Sequence, residues 1–489
     1  MRYFMKSITD LNEPMIQRTI SQFIFPFSWK QDCVKELIDE LINNGFEFFS
    51  INNPSRKSSF YGENVNIPHK RLNHYFLPYI EQILFPNQFK EKAINRYSKS
   101  LNLDCRLETA HNSYNMKIHS IDIYICPFSI GMITIRAEPY SMDKILTLSE
   151  ALDFMDHFRV LEPLITEEKG TSIYAEQQKY DKIQEFIFQD LCPYIVPFIE
   201  KSENDQSTYL GSLPYFIDER MFVSSLLVTS SDDKITDEEL FRIGHMNGFD
   251  KNGKPYLAAS NPEYIYSYIK KHVYERWAPA SYHIISDHTF ACFTSDIENE
   301  KIIAEEMYGQ LYYNLILHLF YKIVLLKLSY SYSQLYIDQK QDKMDKLIRS
   351  ITNFTAKYIF SEISSRTEGQ ELSVMMKDRF KIETLYKEVN NTMDSLYQNQ
   401  EKLASKRHNS LLLILTTYTV ISGIYGMNLV IEDWKGKIEW SMLAEYSLFE
   451  YISLIVALSG IAVGGVLAGI AIIKLMKDYL DKRKSENLD

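Results

Sequence analysis

Cysteine and proline are scarce in this chain of 489 residues, and their placement excludes several classes of protein. The five cysteines are scattered and never spaced as a CxxC pair, which argues against a disulfide framework and against a cysteine zinc site. No proline follows Pro279, so the C-terminal part can form long helices. Basic residues number 53 against 64 acidic ones, and the net charge of −11 argues against a nucleic-acid-binding surface.

Motifs of soluble enzymes are also missing from the sequence. There is no Walker loop, GxGxxG, GxSxG or HExxH motif, and the eleven histidines do not cluster at zinc-ligand spacing. The stretch from Asp250 to Gly253 resembles the start of a calcium loop, but the ligands that should follow it are missing, and an ordinary turn is predicted. We therefore expect a protein that is not an enzyme and that needs no bound cofactor.

Two apolar runs near the C-terminus are long enough to cross a bilayer. Residues 410–431 and 451–473 carry no formal charge, and about 22 residues of helix span roughly 33 Å. Basic residues precede the first run and follow the second, so the positive-inside rule places both flanks and both chain termini in the cytoplasm. These flanks are the group Lys402, Lys406 and Arg407 and the basic tail, residues 474–489.

The connector between the two runs, residues 432–450, is expected to face outward, and it is acidic. Its carboxylates either form an outer mouth that attracts cations or merely keep a loop in water, and the sequence leaves both interpretations open. The carboxylates proposed for the outer mouth are Glu432, Asp433 and Glu439.

A third apolar segment, from Leu315 to Leu328, is interrupted by one histidine and two lysines, namely His318, Lys322 and Lys327. Each lysine at the centre of a bilayer would cost about 2.5 to 3.5 kcal/mol, and the segment is short for a membrane span. We therefore predict that this segment is a buried helix of the soluble part.

The N-terminal part, residues 1–295, has the pattern of a mixed α/β domain in the cytosol. In residues 120–128 and 131–138, apolar side chains recur at every second position, and a short turn joins the two segments. This pattern predicts a β-hairpin. The remaining predicted elements are strands at residues 222–229 and 281–286 and a helix at residues 148–161.

The second half of the chain is predicted to be mainly helical, because proline is absent and glycine is rare. Residues 296–368 are expected to form a cytosolic helical segment, and residues 369–409 a stalk helix that continues without a break into the first apolar run. Apolar residues recur at near-heptad spacing from Met375 to Leu403. This spacing suits a long helix packed against copies of itself, and an ordinary two-helix hairpin is the alternative.

One motif stands out at the end of the first apolar run. Residues 422–428 read SGIYGMN, and a short acidic loop, a final apolar run and a basic tail follow them. This arrangement resembles the Tyr-Gly-Met-Asn signature of CorA-type magnesium transporters. The resemblance covers about the last 120 residues well and the N-terminal domain only in general character.

The resemblance implies an α/β cytosolic domain, a long stalk helix and two C-terminal transmembrane helices in a homopentameric funnel. Five copies of residues 410–431 would line a pore across the cell's inner membrane, and five copies of residues 451–473 would surround them. The implied function is passive magnesium uptake that intracellular magnesium closes, with cobalt, nickel or zinc as alternative ions. A non-conducting, membrane-anchored scaffold or sensor is the alternative from a different class of protein.

Tyr425, Gly426, Met427 and Asn428 would form the selectivity filter of such a channel. Magnesium holds its water tightly, so a filter should present neutral oxygens to the hydrated ion. The side-chain carbonyl of Asn428 can accept hydrogen bonds from that water, which makes it the candidate metal-recognising group, and capping of the helix end is its alternative role.

The pore-lining positions that the resemblance implies follow inward at helical spacing. They are Thr419, Thr416, Leu412 and His408. The threonine hydroxyls either serve hydrated ions or bond back to carbonyl groups of their own helix, and the sequence leaves these two roles open.

Three departures from the family pattern concern selectivity and gating. Thr417 replaces the proline that is common in the pore helix, and the loop lacks the MPEL-like sequence that usually follows the motif. His408 stands where the family usually has an apolar constriction.

We expect protonated His408 to impede cations by electrostatic repulsion, so that flux falls as the pH falls. Flux into liposomes should lose this pH dependence in the His408→Leu variant. An unchanged pH dependence in that variant would remove the hypothesis.

Overall fold

The structure is a computed structural model of the chain. It describes most of the first 428 residues and a short stretch near the C-terminus. The described ranges are residues 13–30, 33–51, 60–62, 65–67, 69–141, 144–162, 170–176, 178–200, 220–229, 235–333, 341–428 and 445–452, and a few further positions between residues 454 and 466.

Twelve β-strands of the described residues belong to one mixed sheet. Their bounds are β1 Met15–Ser28, β2 Glu47–Phe48, β3 Asn95–Glu108, β4 Ser113–Cys126, β5 Ile130–Tyr140, β6 Leu146–Thr147, β7 Ser172–Ala175, β8 Gln178–Tyr180, β9 Phe222–Thr229, β10 Val273–Tyr274, β11 Ser281–Ile285 and β12 Thr289–Thr294.

The order of the strands in the sheet is β10-β11-β12-β9-β1-β5-β4-β3-β7-β8, with β2 beside β3 and β6 beside β1. All pairs are antiparallel except β9 and β12, which are parallel. The long strands β1, β5, β4 and β3 lie side by side and carry the centre of the sheet.

The described helices flank this sheet and continue beyond it. Their bounds are α1 Val34–Asn43, α2 His69–Leu72, α3 Pro78–Leu84, α4 Leu148–Phe158, α5 Ile183–Glu185, α6 Asp237–His245, α7 Pro262–His272, α8 Glu300–Tyr308, α9 Gln310–Ser333, α10 Gln341–Tyr358, α11 Thr367–Arg379 and α12 Ile382–Asn428.

One face of the sheet is apolar and packs against α4. The ring of Phe23 in β1 contacts the ring of Phe158 edge-on, with 4.6 Å between ring centres. Helix α4 begins at a capping box, in which Thr147 accepts a hydrogen bond from the Glu150 amide and Glu150 accepts one from the Thr147 amide. The cap fixes the start of α4, and burial of its aromatic side chains supplies much of the core on this side.

The opposite face of the sheet carries polar side chains and is covered by α9. Tyr312 of α9 donates a hydrogen bond to Thr134 of β5 at 2.8 Å. Near the other end of α9, the Lys327 ammonium donates to the Ser28 hydroxyl at 2.7 Å and to the carbonyl of Phe128 at 3.1 Å. Both faces of the central strands are therefore buried.

The predicted fold class is wrong in its membrane part. Among the described residues, one helical stretch, Glu300–Ser333, is long and apolar enough to cross a membrane, and 83% of its most apolar part is buried inside the protein. Two C-terminal transmembrane helices are not evident in this part of the chain. Residues 410–428 instead end a 47-residue helix, and most of residues 451–473, together with the tail 474–489, lie outside the described residues.

The physical reason for this error is that the absence of charge describes only the composition of a segment. A membrane span also needs a continuous helix of about 20 residues. In the described part of the chain, residues 410–428 continue a 47-residue helix, and the stretch Glu300–Ser333, which does have the length and composition of a membrane span, is buried in the protein. The described residues therefore show a large mixed sheet with covering helices, and they do not show the predicted funnel with its pair of membrane helices.

The predicted continuous stalk helix is also interrupted. Helix α11 ends at Arg379 and α12 begins at Ile382, and between them Lys381 adopts a left-handed backbone with φ of 55°. Of the heptad positions, Ile382, Val389 and Leu396 are buried within this chain. Met393 accepts a contact from the Thr352 hydroxyl of α10 at 3.9 Å, so this part of α12 packs on the chain itself.

The local predictions in the N-terminal part are confirmed. The predicted hairpin is β4 and β5, and the other predicted elements correspond to β9, β11 and α4. The segment from Leu315 to Leu328 lies in α9 and is almost entirely buried, as its interrupting lysines indicated. The described residues form two compact units, residues 1–393 and 394–489, and the predicted boundaries at residues 295 and 368 fall inside the first.

Candidate functional site

The C-terminal end of α12 carries the residues that the sequence singled out. Tyr425, Gly426, Met427 and Asn428 are the last four residues of this helix. Their side chains lie outside the described part of the structure, as do the acidic residues Glu432, Asp433 and Glu439. The structure therefore gives the motif a helical backbone and describes the face of α12 that leads to it.

The predicted pore-lining residues share one face of α12. Spacings of four, four and three residues bring His408, Leu412, Thr416 and Thr419 into a row, because an α-helix turns once every 3.6 residues. All four side chains are exposed in the single chain. We call these four residues the polar row.

The hydroxyl of Thr419 bonds back to its own helix. It donates a hydrogen bond to the carbonyl of Leu415 at 2.8 Å, and Thr417 donates to the carbonyl of Leu413 at the same distance. A hydroxyl whose proton is used in this way still has lone pairs that accept hydrogen bonds. Water bound to a cation points its hydrogens outward, so a back-bonded threonine can accept from it, and the two roles that the sequence left open are compatible.

Large apolar side chains flank the polar row, and one of them, Leu412, belongs to it. The exposed fractions of the five consecutive residues from Leu411 to Leu415 lie between 48% and 71%, and that of Val420 is 55%. Consecutive residues point to all sides of a helix, so this stretch is apolar around most of its circumference. Such a helix is normally buried in a protein or in a membrane.

The basic residues of the predicted cytoplasmic flank precede this apolar stretch on the same helix. The side chains of Lys402, Lys406 and Arg407 are all exposed. At the other end, the half-buried Tyr418 donates a hydrogen bond to the hydroxyl of Ser459 at 3.1 Å, so the two apolar runs meet at this point.

A second cluster, which the sequence did not reveal, lies on the polar face of the sheet. Arg96 of β3, Asp122 of β4 and Arg136 of β5 are almost completely buried. The Asp122 carboxylate lies 2.6 Å from Nη2 of Arg136 and 3.2 Å from Nη2 of Arg96. The strand register explains their proximity, because Asp122 pairs with Thr134, two residues from Arg136, and with Ser98, two residues from Arg96.

Aromatic side chains compensate the excess positive charge of this cluster. Two guanidinium groups face one carboxylate, and Arg96 donates to the hydroxyls of Tyr61 and Tyr313. The guanidinium carbon of Arg96 lies 4.4 Å from the ring centre of Phe49, and that of Arg136 lies 5.0 Å from the ring centre of Tyr61. Cation–π attraction is strongest where water is excluded, as it is here.

The protonation state of Asp122 follows from these contacts. Burial by itself would raise the pKa of the carboxyl, but Arg136 and Arg96 together outweigh it and lower that pKa. The carboxylate is therefore ionised at neutral pH. Together with the Tyr313 contact, this charge network fixes α9 on the sheet.

Within the described part of the chain, no three histidine, cysteine, aspartate or glutamate side chains lie close enough together to hold a metal ion. Protein-family models, curated proteins and solved structures were compared with the chain, and none of them matches it. The resemblance of residues 422–428 to the CorA signature thus remains a hypothesis that rests on this short motif and its position.

The Asp122→Asn variant should be strongly destabilised, because it leaves two buried guanidinium groups without a counter-charge. Breaking a buried ion pair in this way costs about 3 to 5 kcal/mol of unfolding free energy. Urea unfolding followed by circular dichroism would measure the loss.

Glu108→Gln is the matched control, since Glu108 pairs with Arg106 at 3.0 Å while the Glu108 and Arg106 side chains are 35% and 48% exposed. The control should change the unfolding free energy by about 1 kcal/mol or less. Equal losses in the two variants would contradict the role assigned to the buried network.

Proposed function

We propose that this chain is a membrane protein that conducts hydrated divalent cations, Mg²⁺ first, along a pathway lined by copies of α12. The single observation that carries the proposal is the exposed apolar stretch of α12, residues 411–420, which precedes the Gly-Met-Asn sequence on the same helix. This stretch needs an apolar environment, and lipid together with neighbouring copies would provide one.

The polar row supplies a reason for self-assembly. When several copies of α12 stand around an axis with the polar row inward, apolar side chains face lipid and neighbouring copies, while hydroxyl oxygens face the axis. We propose five copies, the number that the resemblance implies. The ring of Asn428 amides would then lie at one end of the pathway and the His408 rings at the other.

The basic residues set the proposed orientation in the cell membrane. Lys402, Lys406 and Arg407 would lie on the cytoplasmic side, together with both chain termini. A membrane potential that is negative inside drives a divalent cation inward with about 4.6 kcal/mol per 100 mV, because each charge contributes about 2.3 kcal/mol. No energy-coupling reaction is required for uptake.

The chemistry of the proposed pathway favours Mg²⁺ among the divalent ions. Mg²⁺ loses its water reluctantly, and neutral amide and hydroxyl oxygens recognise the hydrated ion without removing that water. Zinc, cobalt and nickel are the alternative cargoes, and measured selectivity decides among them. A non-conducting scaffold would share the membrane location and show no flux.

Asn428→Ala should reduce Mg²⁺ flux into proteoliposomes by at least about tenfold, because the filter loses the carbonyl that accepts hydrogen bonds from the hydrated ion. Asn409→Ala, an exposed asparagine on the same helix, is the control and should retain wild-type flux. If Asn428→Ala conducts as well as a conducting wild type, the filter assignment is wrong.

Thr419→Val should lower flux several-fold, because valine keeps the shape of the side chain but removes the oxygen that accepts hydrogen bonds from the hydrated ion. Thr417→Val is a matched control: both hydroxyls bond back to a carbonyl four residues earlier, but Thr417 lies about 160° around the helix from Thr419. Stopped-flow uptake of Mg²⁺ with a trapped fluorescent indicator would compare them. Equal effects of the two substitutions would show that the polar row does not line the pathway.

A further inference from the structure

The joint between α11 and α12 is a short and strained connection. Arg379 is the last residue of α11, and Phe380 and Lys381 separate it from the first residue of α12. Lys381 adopts a left-handed backbone, which costs free energy for any residue other than glycine. Its amide donates to the carbonyl of Asp378 at 3.0 Å, so the joint has a defined hydrogen-bonded geometry.

The joint is anchored on the first compact unit. Phe380 is completely buried, and its ring meets the ring of Phe222 in β9 edge-on, with 5.8 Å between ring centres. The Lys322 ammonium of α9 lies 5.3 Å from the centre of the same ring. The start of α12 is thus fixed by contacts with the sheet and with α9, and loosening these contacts would free the helix end.

A histidine holds the residue that precedes the joint. Nη1 of Arg379 donates to Nε2 of His272 in α7 at 3.3 Å, and Nδ1 of His272 lies 2.9 Å from the carbonyl oxygen of Tyr268. A guanidinium group has only donors, so Nε2 must offer a lone pair and Nδ1 must carry the proton. This contact therefore exists only while the imidazole is neutral.

The surroundings of His272 restrict its movement. Its ring stacks on Tyr268 with 3.7 Å between ring centres and 7° between planes, and His245 of α6 lies on the same tyrosine with 4.7 Å between centres. The charged and titratable groups that act on the imidazole are His245, Asp287 between β11 and β12, and Arg379, which also pairs with Asp378. Burial, more than any other factor, lowers the pKa of His272, and Arg379 lowers it further.

We propose that His272 is a proton-sensitive latch that fixes the joint between α11 and α12 while it is neutral and releases the joint when it is protonated. Protonation places an N–H and a positive charge on Nε2, directly opposite the guanidinium of Arg379. The hydrogen bond is lost and the two cations repel each other. Arg379 then moves away, and the first turn of α12 is no longer held.

The direction of the pH dependence follows from linkage. The folded pKa of His272 lies below the unfolded value of about 6.5, so the latch contributes its full stability above pH 6.5. This contribution is lost as the pH falls from about 6.5 toward the folded pKa. Cytosolic acidification would therefore loosen the same helix that carries the polar row.

Hydrogen exchange of the full-length protein in detergent tests the latch without any measurement of transport, so it can fail while the proposed function stands. The reporter amides are those of Phe380, Lys381 and Leu385, which donate to carbonyls at 2.9 to 3.0 Å around the joint. Their protection factors, corrected for the intrinsic pH dependence of exchange, should fall at least fivefold between pH 7.5 and pH 5.5. Amides of the β4–β5 hairpin serve as an internal reference.

Two variants distinguish a latch from a general loosening of the fold. His272→Gln keeps an acceptor for Arg379 but cannot be protonated, so its joint should stay protected at both pH values. His245→Gln, on the other side of Tyr268, should retain the wild-type response. An undiminished pH response in His272→Gln, or none in the wild type, would overturn the proposal.

Arg379→Gln provides a second, independent variant if His272→Gln proves unstable. Its amide can accept a hydrogen bond from protonated His272, and no charge repulsion remains. The protection factors of its joint should therefore be independent of pH over the same range, and a wild-type pH response in this variant would likewise overturn the latch.

Discussion

The apolar side chains of α12 from Leu411 to Val420 are poorly solvated by water. The surroundings of this helix must therefore be apolar, and this requirement limits where the protein can function. Burying one such leucine completely is worth about 1.5 to 3 kcal/mol, so five consecutive half-exposed side chains provide a large driving force. In the part of the chain that the structure describes, these side chains stay about half exposed or more. Lipid and further copies of the chain are the partners that suit an apolar helix with a narrow polar row.

The sheet and its helices form a densely packed base on which α12 begins. Both faces of the central strands are buried. Aromatic side chains pack on one face, and α9 covers the other, which carries the charge network of Arg96, Asp122 and Arg136. The same helix α9 that covers the charge network also contributes Lys322, which lies over the ring of Phe380 at the joint. Interactions in the core therefore determine where α12 starts, and the latch at His272 acts on a well-anchored element.

Much of the local structure could be predicted from the sequence, because period-two alternation and helical spacing depend on near neighbours. This holds for β4, β5, β9 and α4. The charge network could not be predicted in this way, since a polar side of an alternating strand usually faces water, whereas here α9 covers it. The only signal was the presence of Asp122 between two isoleucines and of Arg136 between Ile135 and Ala137. The prediction of two membrane helices from the uncharged C-terminal runs was wrong, because composition alone does not establish a spanning helix. The break at Lys381 could not be predicted either, because the heptad pattern continues through it.

The most direct test of the account is Mg²⁺ uptake by the purified wild-type chain in proteoliposomes under an imposed potential, with incorporated protein quantified in the same vesicles. A conducting chain should give saturable Mg²⁺ influx that grows as the interior becomes more negative and that protein-free vesicles do not show. Vesicles that contain the folded protein but admit no magnesium, cobalt, nickel or zinc at any potential would contradict it.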